Sequence, residues 1–191
     1  MRILVRLLRS ALAPLLAVAL LSLSLPALAQ DAEAEAALDE LFAALRVAPD
    51  PATAQQIDQA IWQVWTNPSD PTLHARMREA LIARGTGNIA EALRLLGKLV
   101  VDYPDYSEGW NQRATIHYMM GNLELSLADC ARVLALEPRH FGALSGRALI
   151  YLQQGKRALA LKDMAAALAV HPFLNERYLF PELERPPATQ V

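Results

Sequence analysis

Apolar residues recur every three or four positions along two stretches near the start of the chain, 32–47 and 52–66. This spacing places them on one face of an α-helix. Proline-containing segments at 48–51 and 67–71 interrupt the pattern. The sequence therefore predicts a helical hairpin within residues 30–72. Its apolar residues are Leu38, Leu41, Phe42, Leu45, Ile57, Ile61, Trp62, Val64 and Trp65.

From residue 73 to 174 three landmarks recur at intervals of 34 residues, the length of a helix–turn–helix unit. Glycine permits the left-handed conformation that ends a first helix, and proline cannot continue a second one. The landmarks are Ala80, Ala114 and Ala148, then Gly87, Gly121 and Gly155, then Pro104, Pro138 and Pro172. They define units 73–106, 107–140 and 141–174, with helices predicted near 72–84, 88–102, 107–120, 123–136, 141–154 and 157–170.

These units resemble the tetratricopeptide repeat (TPR) family, and the whole chain resembles small exported bacterial TPR proteins. The resemblance implies an all-α, right-handed superhelical solenoid of three helix hairpins. The first unit matches less well, with Arg76 and Ala83 at landmark positions. Position 7, usually apolar in the family, is charged in every unit: Glu79, Arg113 and Arg147.

The hairpin at 30–72 lacks the repeat landmarks, and we interpret it as an N-terminal cap on the first repeat. Trp62 and Trp65 are expected to pack on that repeat, although they could instead form an exposed aromatic anchor for a partner. Residues 175–191 are predicted to form a short C-terminal helix and a disordered tail. Leu174, Tyr178 and Leu179 are expected to cover the open face of the last repeat.

Residues 1–29 have the features of a secretory signal peptide: basic residues, an apolar run, and small residues before a predicted cleavage between Ala29 and Gln30. The alternative is an uncleaved membrane anchor, but the run is short for a span and is interrupted by proline and serine. Together with the family resemblance, this predicts a periplasmic protein without stable membrane insertion after cleavage.

The charge of the chain is −2, and loss of the three arginines within residues 1–29 makes it −5. A mildly acidic chain without a basic stripe is a poor candidate for binding nucleic acid. Cys130 is the single cysteine, so an internal disulfide cannot form. We expect its thiol to be buried and inert.

The sequence contains no catalytic motif that we recognise, so we predict neither an enzyme nor a cofactor or metal site. The four histidines show no metal-ligand pairing on one helix. His117 falls at a core position of the repeat. His140 and His171 lie at hairpin junctions, where we expect them to be solvated.

The resemblance further implies that the first helix of each repeat lines a concave groove, which would hold an extended protein segment or a helix. Asn111 could hold a peptide backbone through its donor and its acceptor, and Tyr118 could supply contact area. The groove residues carried over are Met77, Leu81, Arg84, Glu108, Asn111, Thr115, Tyr118, Met119, Ser145, Leu149 and Leu152. The basic residues of a carboxylate clamp are absent from the flanking repeats.

Two functions follow from this sequence. The first is an exported protein-interaction adaptor or scaffold in the cell envelope, without catalysis. The alternative is a self-associating structural protein, a homo-oligomer that stacks through its C-terminal face. Fold alone does not decide between them.

Overall fold

The computed structural model describes residues 32–183, which form eight α-helices and two short 3₁₀ helices and contain no strand. The predicted signal peptide and most of the predicted tail lie outside these residues. The helices are α1 (32–46), α2 (Pro51–Thr66), α3 (Pro71–Gly85), α4 (Ile89–Asp102), α5 (Ser107–Met119), α6 (Leu123–Leu136), α7 (Phe141–Gln153) and α8 (Arg157–Val170). The 3₁₀ helices are Asn175–Leu179 and Pro181–Leu183.

The repeats form the three predicted hairpins, α3–α4, α5–α6 and α7–α8, and each hairpin packs against the next. The predicted all-α solenoid of helix hairpins is confirmed for residues 32–183. None of the helices within residues 32–183 is long and apolar enough to cross a membrane.

Each hairpin turns at the glycine that recurs every 34 residues. Gly87, Gly121 and Gly155 have positive φ angles of 78°, 76° and 71°. The N–H of the residue after the glycine then bonds back to the first helix, as in Asn122 N to His117 O at 2.8 Å. The N–H of Gly121 also bonds to the Tyr118 carbonyl at 2.9 Å. This pair of bonds is a Schellman motif, which ends a helix by satisfying its last carbonyls.

The two proline-containing interruptions are helix starts. Asp50 precedes Pro51 and accepts a hydrogen bond from Thr53 N at 2.8 Å, and Asp70 precedes Pro71 and accepts one from Leu73 N at 2.9 Å. An N-cap carboxylate satisfies free N–H groups of the first turn, and proline at the first helical position lacks the N–H that would be unpaired. The helices α2 and α3 therefore begin at the prolines.

The charged residues at position 7 form ion pairs within the second and third hairpins. Arg113 binds Asp129 through two bonds of 2.8 and 2.7 Å, and Arg147 binds Asp163 in the same way at 2.6 and 2.8 Å. Both carboxylates are buried. A bidentate pair satisfies the buried charge, so these positions tolerate an arginine where the family has an apolar residue. The first hairpin has Glu79 and Leu95 at the corresponding positions and lacks this pair.

The N-terminal hairpin α1–α2 packs against the third repeat, so the prediction that it covers the first repeat is wrong. Trp65 stacks on His140, with ring centroids 3.9 Å apart, and Trp62 lies edge-on to Phe141 at 5.7 Å. Arg139 binds Glu35 at 2.8 Å and also binds Asp39 of α1.

The hydrophobic cores explain this placement. The core of the first repeat is filled by α3 and α4 together with Ile116 of α5, and no residue of α1 or α2 contributes to it. The buried residues of α1 and α2 instead share one core with α7, α8 and the C-terminal segment. That core consists of Leu38, Phe42, Leu45, Ala54, Ile61, Trp65, Phe141, Leu144, Ala148, Ala160, Met164, Ala167, Leu174 and Phe180.

The C-terminal segment covers part of the last repeat through Leu174, as predicted, and through Phe180 in place of Tyr178 and Leu179. Leu174 and Phe180 are buried, whereas Tyr178 is 72% exposed and Leu179 lies at the surface. The predicted short helix forms as two 3₁₀ turns separated at Phe180, which directs that ring inward. Arg157 of α8 fixes the segment by binding Glu182.

Candidate protein-binding cleft

A cleft of about 240 Å³ lies between α5 and α7, the first helices of the second and third repeats. We call it the α5–α7 cleft. Five of the predicted groove residues line it, namely Asn111, Thr115, Tyr118, Ser145 and Leu149. Gly142, Gly146 and Glu176 also line it, and the two glycines of α7 place no side chain in the cleft.

Six predicted groove residues lie elsewhere. Met77 and Glu108 are fully buried, so their assignment to an accessible groove is wrong. Met77 packs with Leu96 and Ile116 in the core of the first repeat. Leu81 and Arg84 are half-buried on α3, outside this cleft. Met119 is exposed at the end of α5, and Leu152 packs against the core of the third repeat.

Glu108 is the centre of a buried polar network behind the cleft. Its carboxylate accepts hydrogen bonds from Asn111 Nδ2 at 3.0 Å, from Gln112 Nε2, and from His140 Nε2 at 3.0 Å. The Ala143 N–H donates to His140 Nδ1 at 3.2 Å, so the ring hydrogen lies on Nε2, where it donates to Glu108. Each partner is a donor, which is what a buried carboxylate requires.

The prediction that His140 is solvated is wrong, because its side chain is fully buried. The ring N-caps α7 through Nδ1, donates to Glu108 through Nε2 and is covered on one face by Trp65. A short loop that joins two helices can therefore bury a histidine completely when both nitrogens and a ring face have partners.

The network orients Asn111 in the α5–α7 cleft. A carboxylate only accepts hydrogen bonds, so Glu108 holds the amide nitrogen of Asn111 toward the protein interior. The amide oxygen is then left for the cleft side, which Asn111 lines with only 6% of the residue exposed. We predicted that Asn111 would offer a donor and an acceptor, but one of its N–H groups is already committed to Glu108.

A second cleft, of about 400 Å³, lies between α2 and the third repeat, and we call it the α2–α7 cleft. It adjoins the α5–α7 cleft through Gly142, Ser145 and Glu176, which line both. Sequence reasoning missed it because α2 was placed on the other end of the array. The available signal was a carboxylate one turn before an indole on α2, Asp58 and Trp62.

Asp58 and His171 face each other across the α2–α7 cleft, with Oδ1 and Nε2 3.8 Å apart. Burial is the main cause that raises the pKa of Asp58; the bond from Trp62 Nε1 at 3.0 Å opposes it, and Glu176 adds to it. His171 was predicted to be solvated, but it is only 6% exposed, and burial lowers its pKa. Burial disfavours the charged form of each group.

Two other titratable groups were singled out by the sequence. Cys130 is buried, as predicted, and burial raises the pKa of its thiol to about 11, which disfavours the reactive thiolate. His117 is also buried, as its core position predicted, and desolvation lowers its pKa despite the nearby Asp129 carboxylate. Within residues 32–183 no group of three or more His, Cys, Asp and Glu side chains could hold a metal ion.

No family model matches the chain. A TPR repeat-containing protein of Rhizobium etli is 40% identical to it over 108 residues, which are 56% of this chain and 53% of that protein. The chain therefore spans about half the length of the curated relative that it matches. This similarity and the three stacked hairpins confirm the resemblance that the 34-residue spacing indicated.

Proposed function

From this TPR-type solenoid, we propose that the protein is an adaptor or scaffold that binds another protein through the α5–α7 cleft. TPR repeats are in general protein-interaction units, and repeat arrays use an extended surface for this purpose. The observation that carries the proposal is the fixed orientation of Asn111. A buried network binds the nitrogen of this amide, so its oxygen is left for a partner in the cleft, which Asn111 lines with only 6% of the residue exposed.

The lining suits an extended segment. The Asn111 oxygen can accept a backbone N–H of the partner, and Tyr118, which is 41% exposed, can cover an apolar side chain together with Leu149. The Thr115 hydroxyl donates to the backbone carbonyl of Asn111 at 3.0 Å, so the hydroxyl oxygen of Thr115 remains an acceptor for the same segment. Rigid support of this kind reduces the ordering cost of binding.

We further propose that the protein is exported through residues 1–29, is cleaved between Ala29 and Gln30, and acts in the periplasm without chemistry of its own. The basic start, apolar run and small residues before Gln30 support this. The measurement is the intact mass of the protein from fractionated cells. A mass for residues 1–191 in the membrane fraction would contradict cleavage and support a retained anchor.

The test of the binding cleft is recovery of partners from an envelope extract by the tagged protein. We expect the double variant Asn111→Ala and Tyr118→Ala to recover about tenfold less of its main partner, because it loses a polar and an aromatic contact. Tyr178→Ala is the matched control, since Tyr178 is 72% exposed and lies outside the cleft. Equal recovery by all three proteins would remove the cleft from the proposal.

The alternative, self-association through the C-terminal face, receives less support. It relied on an uncovered last repeat, but Leu174 and Phe180 bury part of that face. A monomer in sedimentation across a concentration series would exclude this alternative.

A further inference from the structure

The α2–α7 cleft is a distinct, built site beside the α5–α7 cleft. Three aromatic rings contribute to its walls, Trp62 from α2, Phe141 from α7 and Phe173 from the segment after α8. Gly142 lies at its floor, where an added Cβ would come within 3.0 Å of Trp62. The absence of a side chain at this position lets the indole approach α7 closely and shapes the cleft.

The cleft contains two carboxylates without a cationic partner. Asp58 Oδ1 accepts from the Trp62 indole, and within the described residues neither Asp58 nor Glu176 forms an ion pair with lysine or arginine. Arg177 follows Glu176 in sequence, but its guanidinium lies over the Phe173 ring, 5.9 Å from the centroid. His171 does not supply the missing charge, because burial favours its neutral form.

His171 provides a second, independent indication of a ligand. Its side chain is more than nine-tenths buried, and its Nδ1 accepts from Phe173 N at 3.3 Å, so the hydrogen lies on Nε2. Nε2 lines the cleft and makes no hydrogen bond to any residue between 32 and 183. Its nearest acidic oxygen, Asp58 Oδ1, is 3.8 Å away, so Nε2–H can donate to an acceptor that enters the cleft, such as the carbonyl of a peptide backbone.

We propose that the α2–α7 cleft binds a lysine or arginine side chain of the partner segment, whose backbone continues into the α5–α7 cleft. The cation pairs with Asp58 and Glu176, the aromatic rings contact its alkyl stem, and His171 Nε2–H donates to the backbone carbonyl. Aromatic faces and carboxylates both favour a cation, and a long basic side chain can cover apolar surface while its charge reaches an acid. This inference rests on the proposed function and specifies the chemistry of the partner.

The test uses an array of ten-residue peptides of varied sequence whose other residues are uncharged, each made in four versions with lysine, arginine, glutamine or glutamate at the centre. We expect the protein to retain the lysine and arginine versions about tenfold more than the glutamine version, as for a partly desolvated charge pair. The variant Asp58→Asn with Glu176→Gln should lose this preference. The variant Glu40→Gln, which removes an exposed charge from α1, should keep it.

Unfolding does not confound this test. Burial raises the pKa of Asp58 and so disfavours its charged form, and the neutral asparagine in Asp58→Asn should leave the melting temperature unchanged or higher. A protein without a preference for basic peptides, or a preference that survives Asp58→Asn with Glu176→Gln, would overturn the inference. The proposed function fails separately: Asn111→Ala with Tyr118→Ala should weaken all four peptide versions alike, and an unchanged signal would reject the α5–α7 cleft alone.

Discussion

The first and third repeats follow the same 34-residue pattern, but their surroundings differ. The buried residues in the core of the first repeat are all aliphatic, such as Met77 and Leu96, and its aromatic residues Tyr103, Tyr106 and Trp110 are only partly buried at its edge. The third repeat shares its core with α1, α2 and the C-terminal segment, and that core is rich in aromatic rings, including Phe42, Trp65 and Phe180. One end of the array is thus reinforced by both flanking segments of the chain.

This difference shows that neighbours in sequence need not be neighbours in the fold, even in a repeat protein. Repeats contact their sequence neighbours, which is the usual rule for solenoids. The hairpin α1–α2 does not follow this rule, since it passes the first repeat and docks at the junction of the second and third. The α2–α7 cleft exists only because of this docking.

The largest effect is expected on removal of the ring that joins the N-terminal hairpin to the third repeat. We expect Trp65→Ala to reduce the free energy of unfolding by about 3–5 kcal/mol, because it deletes a buried aromatic that contacts His140 and Phe42. Urea unfolding measures this change. Tyr178→Ala, at a 72% exposed ring, should change the free energy by less than about 0.5 kcal/mol. Equal effects would show that the hairpin is not docked.

The next largest effect is expected at the ion pair that the first repeat lacks. Asp163→Ala leaves Arg147 without its partner and should cost about 2–4 kcal/mol in unfolding free energy, whereas the double replacement Arg147→Met with Asp163→Leu should restore most of it. Asp105→Ala is the control, because that carboxylate is 88% exposed and binds Arg132 at the surface. A double variant as unstable as Asp163→Ala would contradict this explanation.

A smaller effect should be the same at both ends of the array. Gly87 and Gly155 have positive φ angles of 78° and 71°, so alanine at either position should cost about 1–2 kcal/mol in thermal or urea unfolding. Gly97 lies within α4 with open space around it, and alanine there should stabilise the protein by about 0.5–1 kcal/mol. If the two alanine variants lost different amounts of unfolding free energy, the two ends of the array would differ in turn geometry as well as in the segments packed against them.

The smallest effect concerns pH. The pKa of His171 is lowered in the folded protein, so below the ordinary histidine value of 6.5 the unfolded chain binds protons more readily, and stability falls as the pH decreases. His117 contributes in the same direction. We expect His171→Gln to reduce this loss of unfolding free energy between pH 8 and pH 6. His74→Gln, in the first repeat, is the control; a reduction of the same size there would contradict the assignment.

Regular features of the fold were predictable because they depend on local chemistry. The glycine and proline landmarks predicted α5 at 107–120, and it spans Ser107–Met119. The position of α1–α2 was not predictable in this way, because an amphipathic hairpin fits any complementary apolar face. The same holds for His140, whose burial depends on Trp65 and Glu108 from distant parts of the chain. Of the predicted groove, five residues of α5 and α7 line one cleft, but the periodicity did not indicate that Glu108 would turn inward.

The bonds from Arg139 to Glu35 and Asp39 join residues that are 104 and 100 positions apart in sequence. Contacts of this separation slow folding, because a long loop must close before they form. A chain made at 5–20 residues per second would leave the aromatic face of α1–α2 without its docking surface for about 5–20 s. A solenoid that could otherwise assemble hairpin by hairpin must therefore complete its third repeat before its first two helices can dock.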